Sequence, residues 1–318
     1  MKKLILLTAA LLLSVQLFSQ DNAKEAKTLR VLMIGNSFSQ SVLPFLPPIV
    51  EADPSVNLII RNAYIGGCSI ERHLKEYDTT AKNPEHRPYS TNLPIEGIKG
   101  SKVSLQECLK ADKYDIVTIQ QASYYSWRID SYGEDAKRLI SIVREFQPKA
   151  EIVAHQTWAY RADSKNLLPG GNFKISQLEM HNHITACYKM LQKEYGLRVI
   201  PVGNAVQIFR TKTDKPYTAA DVPKEPVKYI HPELPPTPND VVGTASWSKD
   251  KKTDELKLRI DSNHLNKRGQ YLQACVWYMF LFNKKADDVK FIPSNFDEKD
   301  AKFLAKCAEE AIATWNDK

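Results

Sequence analysis

Five apolar runs of strand length recur before residue 203 of this 318-residue chain, and the stretches between them follow helical periodicity. The runs are Leu29–Gly35, Asn57–Ala63, Asp115–Gln120, Glu151–Gln156 and Arg198–Val202. Strands that are apolar throughout cannot leave one face in water, so they belong to a parallel sheet covered on both sides. Glu134–Phe146 sets Leu139, Val143 and Phe146 on one helical face. Ile184, Tyr188, Leu191 and Tyr195 do the same further on, and Gly196 closes that helix. Asn266–Phe282 and Glu298–Trp315 supply two more helices. In sheets of this kind ligands bind at the carboxyl ends of the strands, near the switch point in strand order.

The first twenty residues stand apart from this pattern. Lys2 and Lys3 precede an apolar run from Leu4 to Leu13, and a polar, small-residue end follows to Gln20. That order is a secretory signal; the run is too short for a membrane span. The mature chain, residues 21–318, is therefore expected in the periplasm or medium. Losing two lysines takes its formal charge from +7 to +5. No cysteine precedes Cys68, so no lipid anchor is expected. The basic residues are scattered, which predicts no nucleic-acid partner. Cysteines 68, 108, 187, 275 and 307 form no CxxC pair and are too dispersed for a disulfide framework. Cys187, Cys275 and Cys307 fall in helical segments, as small buried hydrophobes do. His181 and His183 are two apart and cannot face one metal from a helix. Neither GxGxxG nor GxxxxGK[ST] occurs, so dinucleotide and P-loop readings fail. No cofactor or metal is expected.

No linker or repeat divides the chain, which reads as one domain. Residues 207–258 interrupt it: they are rich in proline and without sustained period. A loop of that length is usually functional or disordered. It is either an insertion covering the site, with Tyr229, His231 and Trp247, or an arm wrapped over the sheet edge.

Candidate chemistry collects at the strand ends. The first strand ends in Gly35-Asn36-Ser37, which is either a plain strand-to-helix turn or a presented nucleophile. Gly66-Gly67 follows the second strand, as a tight turn or as backbone open to a ligand. Gln120-Gln121 ends the third. Near the far end, Asp261 stands three residues ahead of His264, with a helix directly after. Across a turn, that spacing lets a carboxylate take the Nδ1 proton and leave Nε2 as a base. The bland alternative is a helix cap beside an incidental histidine. Taken together, these groups make up the inventory of an acyl-transfer site: nucleophile, base, orienter and oxyanion donors.

In these blocks the chain resembles the SGNH (GDSL-type) hydrolase superfamily, particularly an exported branch that begins with "IGNSFS". The resemblance implies a three-layer α/β/α sandwich, flavodoxin-like, with a five-stranded parallel sheet. It also implies serine esterase or acetylhydrolase chemistry. Ser37 takes the nucleophile's place, His264 the base's and Asp261 the orienter's, with Gly67 as a backbone donor. Two blocks depart from the usual pattern. Asn36 stands where the first block usually has aspartate, and "QQASYY" replaces the Gly-x-Asn-Asp of the third. Branches acting on O-acetylated sugars carry a glutamine near there, which assigns the last oxyanion donor to Gln121, with Gln120 as the alternative. Gln120, Asn36, Trp158, Tyr124 and Trp127 are candidates to line a sugar-binding surface, where rings pack on pyranose faces; Tyr125 sits near the same edge. Core packing explains the aromatic residues nearly as well, as it does His155 beside Trp158. The expected substrate is an acylated carbohydrate. A short lipid or aryl ester is the runner-up, and a non-catalytic glycan-binding protein is the competing class.

Overall fold

The structure is a computed structural model that describes residues 26–224 and 227–316; the leader expected over residues 1–20 lies outside them. The chain runs through β1 (Lys27–Gly35), α1 (Ser37–Gln40), α2 (Leu46–Glu51), β2 (Val56–Tyr64), α3 (Ile70–Lys82), β3 (Tyr89–Ser90), β4 (Lys102–Val103), α4 (Leu105–Lys110) and β5 (Ile116–Ile119). It continues through α5 (Gly133–Phe146), β6 (Glu151–His155), α6 (Gln177–Tyr195), β7 (Arg198–Ile200), α7 (Val202–Lys212), β8 (Val242–Lys249), β9 (Leu256–Leu265), α8 (Lys267–Phe282) and α9 (Glu298–Asn316).

The strand order in the main sheet is β4-β3-β2-β1-β5-β6-β7. β2, β1, β5, β6 and β7 are mutually parallel, which accounts for the five apolar runs. The sheet has seven strands rather than five, because β3 and β4 extend it antiparallel beyond β2. Each is two residues long, too short to carry a readable period. β1 lies in the middle, and Val31, Leu32, Met33 and Ile34 are buried, as a doubly covered strand requires. Right-handed crossovers put α2 on one face of the sheet and α3 to α6 on the other. α7, α8 and α9 pack with one another, and α8 packs on α2, which completes the second layer. The order reverses between β1 and β5, so the crevice at the switch point opens beside Gly35 and Gln120. All five cysteines are free and buried.

The segment 207–258 is not uniformly irregular. Its start completes α7, and its end builds the ribbon of β8 and β9. Proline-rich chain joins them, tied to the ribbon where Trp247 Nε1–H donates to the carbonyl of Glu233. The ribbon is held to the body by a buried ion pair, Arg210–Asp240, at 2.9 Å. Asp240 also accepts from the N–H of Val242 and, through its carbonyl, from the Asn266 side chain. Removing one partner of such a pair strands a buried charge and costs about 3–5 kcal/mol. Arg210→Leu is therefore expected to lower the urea midpoint by that equivalent, read as a shift at unchanged slope.

Candidate active site

β1 ends at Gly35, where neighbouring side chains pack closely against the backbone. A Cβ there would sit 2.4 Å from Ser39 Oγ and 3.2 Å from Gln120 Cδ, so only glycine fits. Asn36 then caps α1, its Oδ1 accepting from the N–H of Phe38. Ser37 is the first residue of that helix, and its hydroxyl donates to His264 Nε2 at 2.8 Å. His264 Nδ1–H donates to Asp261 Oδ2 at 2.7 Å. A carboxylate can only accept, so it fixes the tautomer and leaves Nε2 free to take a proton.

The pairing expected from a turn arises within a strand. On β9, Asp261 pairs with Thr244 and Leu265 with Val242, so Ser262, Asn263 and His264 together face Gly243 alone. That bulge turns the side chains of Asp261 and His264 to the same side, which a regular strand would not do at this spacing. Gly243 has φ +99°, open only to glycine at little strain, and the Arg161 guanidinium fills the space beside it. Asp261 Oδ1 accepts the N–H groups of Asn263 and His264, which the ladder has released. Burial acts to raise the Asp261 pKa, but the bonds from the His264 ring and from these two N–H groups outweigh it and bring it down to about 2.

The bulge is clamped from β6's far end. Trp158 Nε1–H donates to the carbonyl of Asn263, and Arg161 N–H to that of Ser262. Trp158 stacks on Phe38 at 3.9 Å between centroids, and Phe38 meets the His264 ring edge-on at 5.5 Å. Phe38 thus packs against both halves of the site. The N–H groups of Ser37 and Gly67 meet no acceptor among the described residues, and Gly67 adopts φ +61°. Asn36 Nδ2–H donates to the carbonyl of Cys68, joining the serine turn to the glycine turn.

The structure does not bring the Gln121 amide to Ser37. Its nitrogen donates to the carbonyl and hydroxyl of Ser131, and its oxygen accepts from the N–H groups of Ile70 and Ala122. It lines a cavity of about 300 Å³ with Ser69, Tyr125 and Ser131, to which neither Ser37 nor His264 contributes. Gln120 is buried as well and bridges His155 and Asn36. Asn36 and Trp158 are likewise buried and committed to bonds within the protein. None of these three reaches the surface as a sugar contact would. Tyr124 does, at 39% exposure, with its hydroxyl donating to the Gly67 carbonyl. Trp127 is half-buried against Phe173 and His183. Arg161, Gln273, which donates to the Phe38 carbonyl, and Ser164, whose hydroxyl donates to Asn263 Oδ1, carried no motif that marked them. Gln273 alone left another sign, as a polar residue among the apolar buried positions of α8.

A family model for a domain of unknown function, DUF4886, matches residues 30–219. The chain belongs to that family. A DUF4886 protein from Bacteroides uniformis, known from its crystal structure, is 28% identical. The match covers 92% of this chain and 97% of that one, with a TM-score of 0.66. Two more distant likenesses are a protein from Slackia heliotrinireducens described as a candidate SGNH hydrolase and an acetyl xylan esterase. The first is 18% identical at TM-score 0.47, over 80% of this chain and 100% of that one. The second is 11% identical at TM-score 0.45, over 80% and 100%. No curated protein matches the chain. The DUF4886 match includes Ser37 and Gly67 and stops short of Asp261 and His264.

The depressed Asp261 pKa sets a pH dependence. A carboxyl whose folded pKa lies below its unfolded value stabilises the fold above that unfolded value, and the contribution is lost as pH falls through the folded one. The stability difference between the protein and its Asp261→Asn variant should shrink as pH falls from about 4 to about 2. Urea titrations across that range check it, and a gap that widens would contradict it.

Proposed function

We propose that this protein is an exported serine esterase of the SGNH type that removes acetyl or other small acyl groups, most favourably from carbohydrate. The observation that carries the reading is the continuous hydrogen-bonded chain from Ser37 through His264 to Asp261. A free serine hydroxyl is a weak nucleophile, and a neutral imidazole that takes its proton during attack makes it effective. The acyl carbonyl carbon bonds to Ser37 Oγ while the proton passes to His264 Nε2. The resulting oxyanion is received by the N–H groups of Ser37 and Gly67, which have no other acceptor among the described residues. His264 then returns the proton to the departing alcohol, and water repeats the sequence on the acyl-enzyme.

The openness of the site supports a large, hydrated substrate. The His264 side chain is 46% exposed and that of Asp261 37%. The exposed Tyr124 ring beside the glycine turn offers a flat apolar face to a sugar. Neither feature encloses a long acyl chain, which favours a small acyl group on a bulky alcohol.

The test is hydrolysis of an aryl acetate, followed by release of acetate from acetylated polysaccharides. Ser37→Ala and His264→Ala should each lower kcat by at least about 10³-fold, and the double variant should be little worse, since groups acting as one unit are not additive. A serine-directed phosphonate should label Ser37. The rate should fall in acid, because protonated imidazole cannot accept the serine proton. Retained activity in Ser37→Ala would reject the mechanism. Glycan affinity without turnover or labelling would identify a binding protein instead. Shortening the proline-rich arm between α7 and β8 is expected to weaken activity on polymer while sparing the aryl acetate; equal losses would make it a structural arm.

A further inference from the structure

A second chain of hydrogen bonds runs beneath the serine, and every member is buried or nearly so. Its polarity is dictated at both ends by backbone groups of Phe38. The N–H of Phe38 requires an oxygen from Asn36, so Oδ1 faces it at 3.0 Å and Nδ2–H goes to the Cys68 carbonyl at 2.9 Å. Any further group meeting Oδ1 must be a donor, and Gln120 Nε2–H fills that place at 2.7 Å. Gln120 Oε1 is thereby turned to His155, whose Nδ1–H donates to it at 2.8 Å. The other ring nitrogen is then bare and accepts from Gln273 Nε2–H at 3.3 Å. The same Gln273 nitrogen donates to the Phe38 carbonyl at 2.8 Å, and its oxygen accepts from the Ser41 hydroxyl. The chain leaves Phe38 by its N–H and returns to it by its C=O. Only one setting of the three amides and the imidazole satisfies the bonds among them.

We propose that His155, through Gln120 and Asn36, is a positioning residue that fixes the serine turn and the glycine turn at the separation an oxyanion requires. This rests on the esterase reading above. The physical content is the link from Asn36 to Cys68, the neighbour of Gly67. Reversing the Gln120 amide would set oxygen against Asn36 Oδ1, turn the Asn36 amide over, and place its oxygen against the Cys68 carbonyl. An aspartate at position 36 would keep its acceptors and lose that donor. Asparagine is therefore what this particular chain requires, and the glutamine is its orienter rather than a donor to substrate. Burial holds His155 neutral, its pKa lowered to about 3, and pushes the Cys68 thiol up to about 12. Those two are the titratable groups among the chain's partners; Ser41, Gln273 and Asn36 do not ionise.

Gln120→Glu tests polarity at constant shape. At neutral pH it should lower kcat on an aryl acetate about 10²-fold, the scale of a misplaced reacting group, with KM changed little and rates counted per phosphonate-titrated site. A protonated glutamic acid can again donate to Asn36, and burial raises its pKa, so the ratio of variant to native kcat should climb as pH falls from about 8 to about 5. Asn36→Asp should show a loss of the same order. An unchanged kcat in both variants, or a flat ratio across pH, overturns the proposal. So does failure of both to fold, or a loss of melting temperature that accounts for the loss of rate, because the chain would then hold the fold and not the site. If the native protein has no turnover at all, the esterase reading fails by itself, and the positioning claim is read from amide exchange. Phe38 should then exchange at least tenfold faster in Gln120→Glu while the amides of β1 hold; unchanged exchange at Phe38 rejects it.

Discussion

Three residues of β9 face one residue of β8, and the candidate site depends on that mismatch. Without it Asp261 and His264 would point to opposite faces of the ribbon, and the Nδ1–carboxylate bond would be impossible. The bulge also frees two backbone N–H groups, and both turn to Asp261 Oδ1. The ladder's loss thus becomes the carboxylate's gain: its orientation is set by backbone as well as by the imidazole. Gly243 makes the opposite side possible, since its positive φ lets β8 pass the bulge while Arg161 packs close to it.

Much of the framework was legible in the sequence because it rests on local, periodic signals. The five parallel strands announced themselves through unbroken apolar runs, and α6 through its stripe and the left-handed Gly196 at its end. The three residues now joined by hydrogen bonds, Ser37, His264 and Asp261, stood out because short motifs carried them. What stayed hidden was direction. Asn36, Gln120, Gln121 and Trp158 occupy the sheet edge where ligand groups would be, and sequence alone gives no sign of whether such a side chain points out or in. Their orientation is decided by partners that no motif marks: Phe38, Gln120 and Cys68 for Asn36, Ser131 for Gln121, Asn263 for Trp158. The β8–β9 ribbon was missed for a related reason. It is amphipathic, with Trp247, Leu258 and Ile260 on one face and Ser246, Ser248 and Arg259 on the other, yet it lies beside proline-rich chain that masks the alternation.

The two hydrogen-bond systems around Ser37 work under different dielectric conditions. The chain from His155 to Asn36 is dry, so each bond in it is strong and a reversed amide is costly. The Ser37–His264–Asp261 chain is half-exposed at His264 and Asp261, where solvent can compete for its bonds. Geometry that solvent would otherwise loosen is therefore held from the dry side. Phe38 is the junction, since its backbone closes the buried chain while its ring packs against Trp158 and His264.

Ser37 and His264 are also held with unequal firmness. Ser37 follows the central strand of a seven-stranded sheet and shares in the cooperativity of the whole core. His264 sits on a two-stranded ribbon, and such a ribbon is at best marginally stable alone. Its position is secured by a short set of bonds: Trp158 to Asn263, Arg161 to Ser262 and Arg210 with Asp240. Elements held in this way open locally at lower free energy than the core around them. Weakening a clamp would then separate His264 from Ser37 before it unfolded the sheet. The buried Arg210–Asp240 pair takes on its meaning from that asymmetry. Burying two charges yields little net stability, while breaking the pair is costly, so the contact ties the start of β8, and with it the strand that carries His264, to α7.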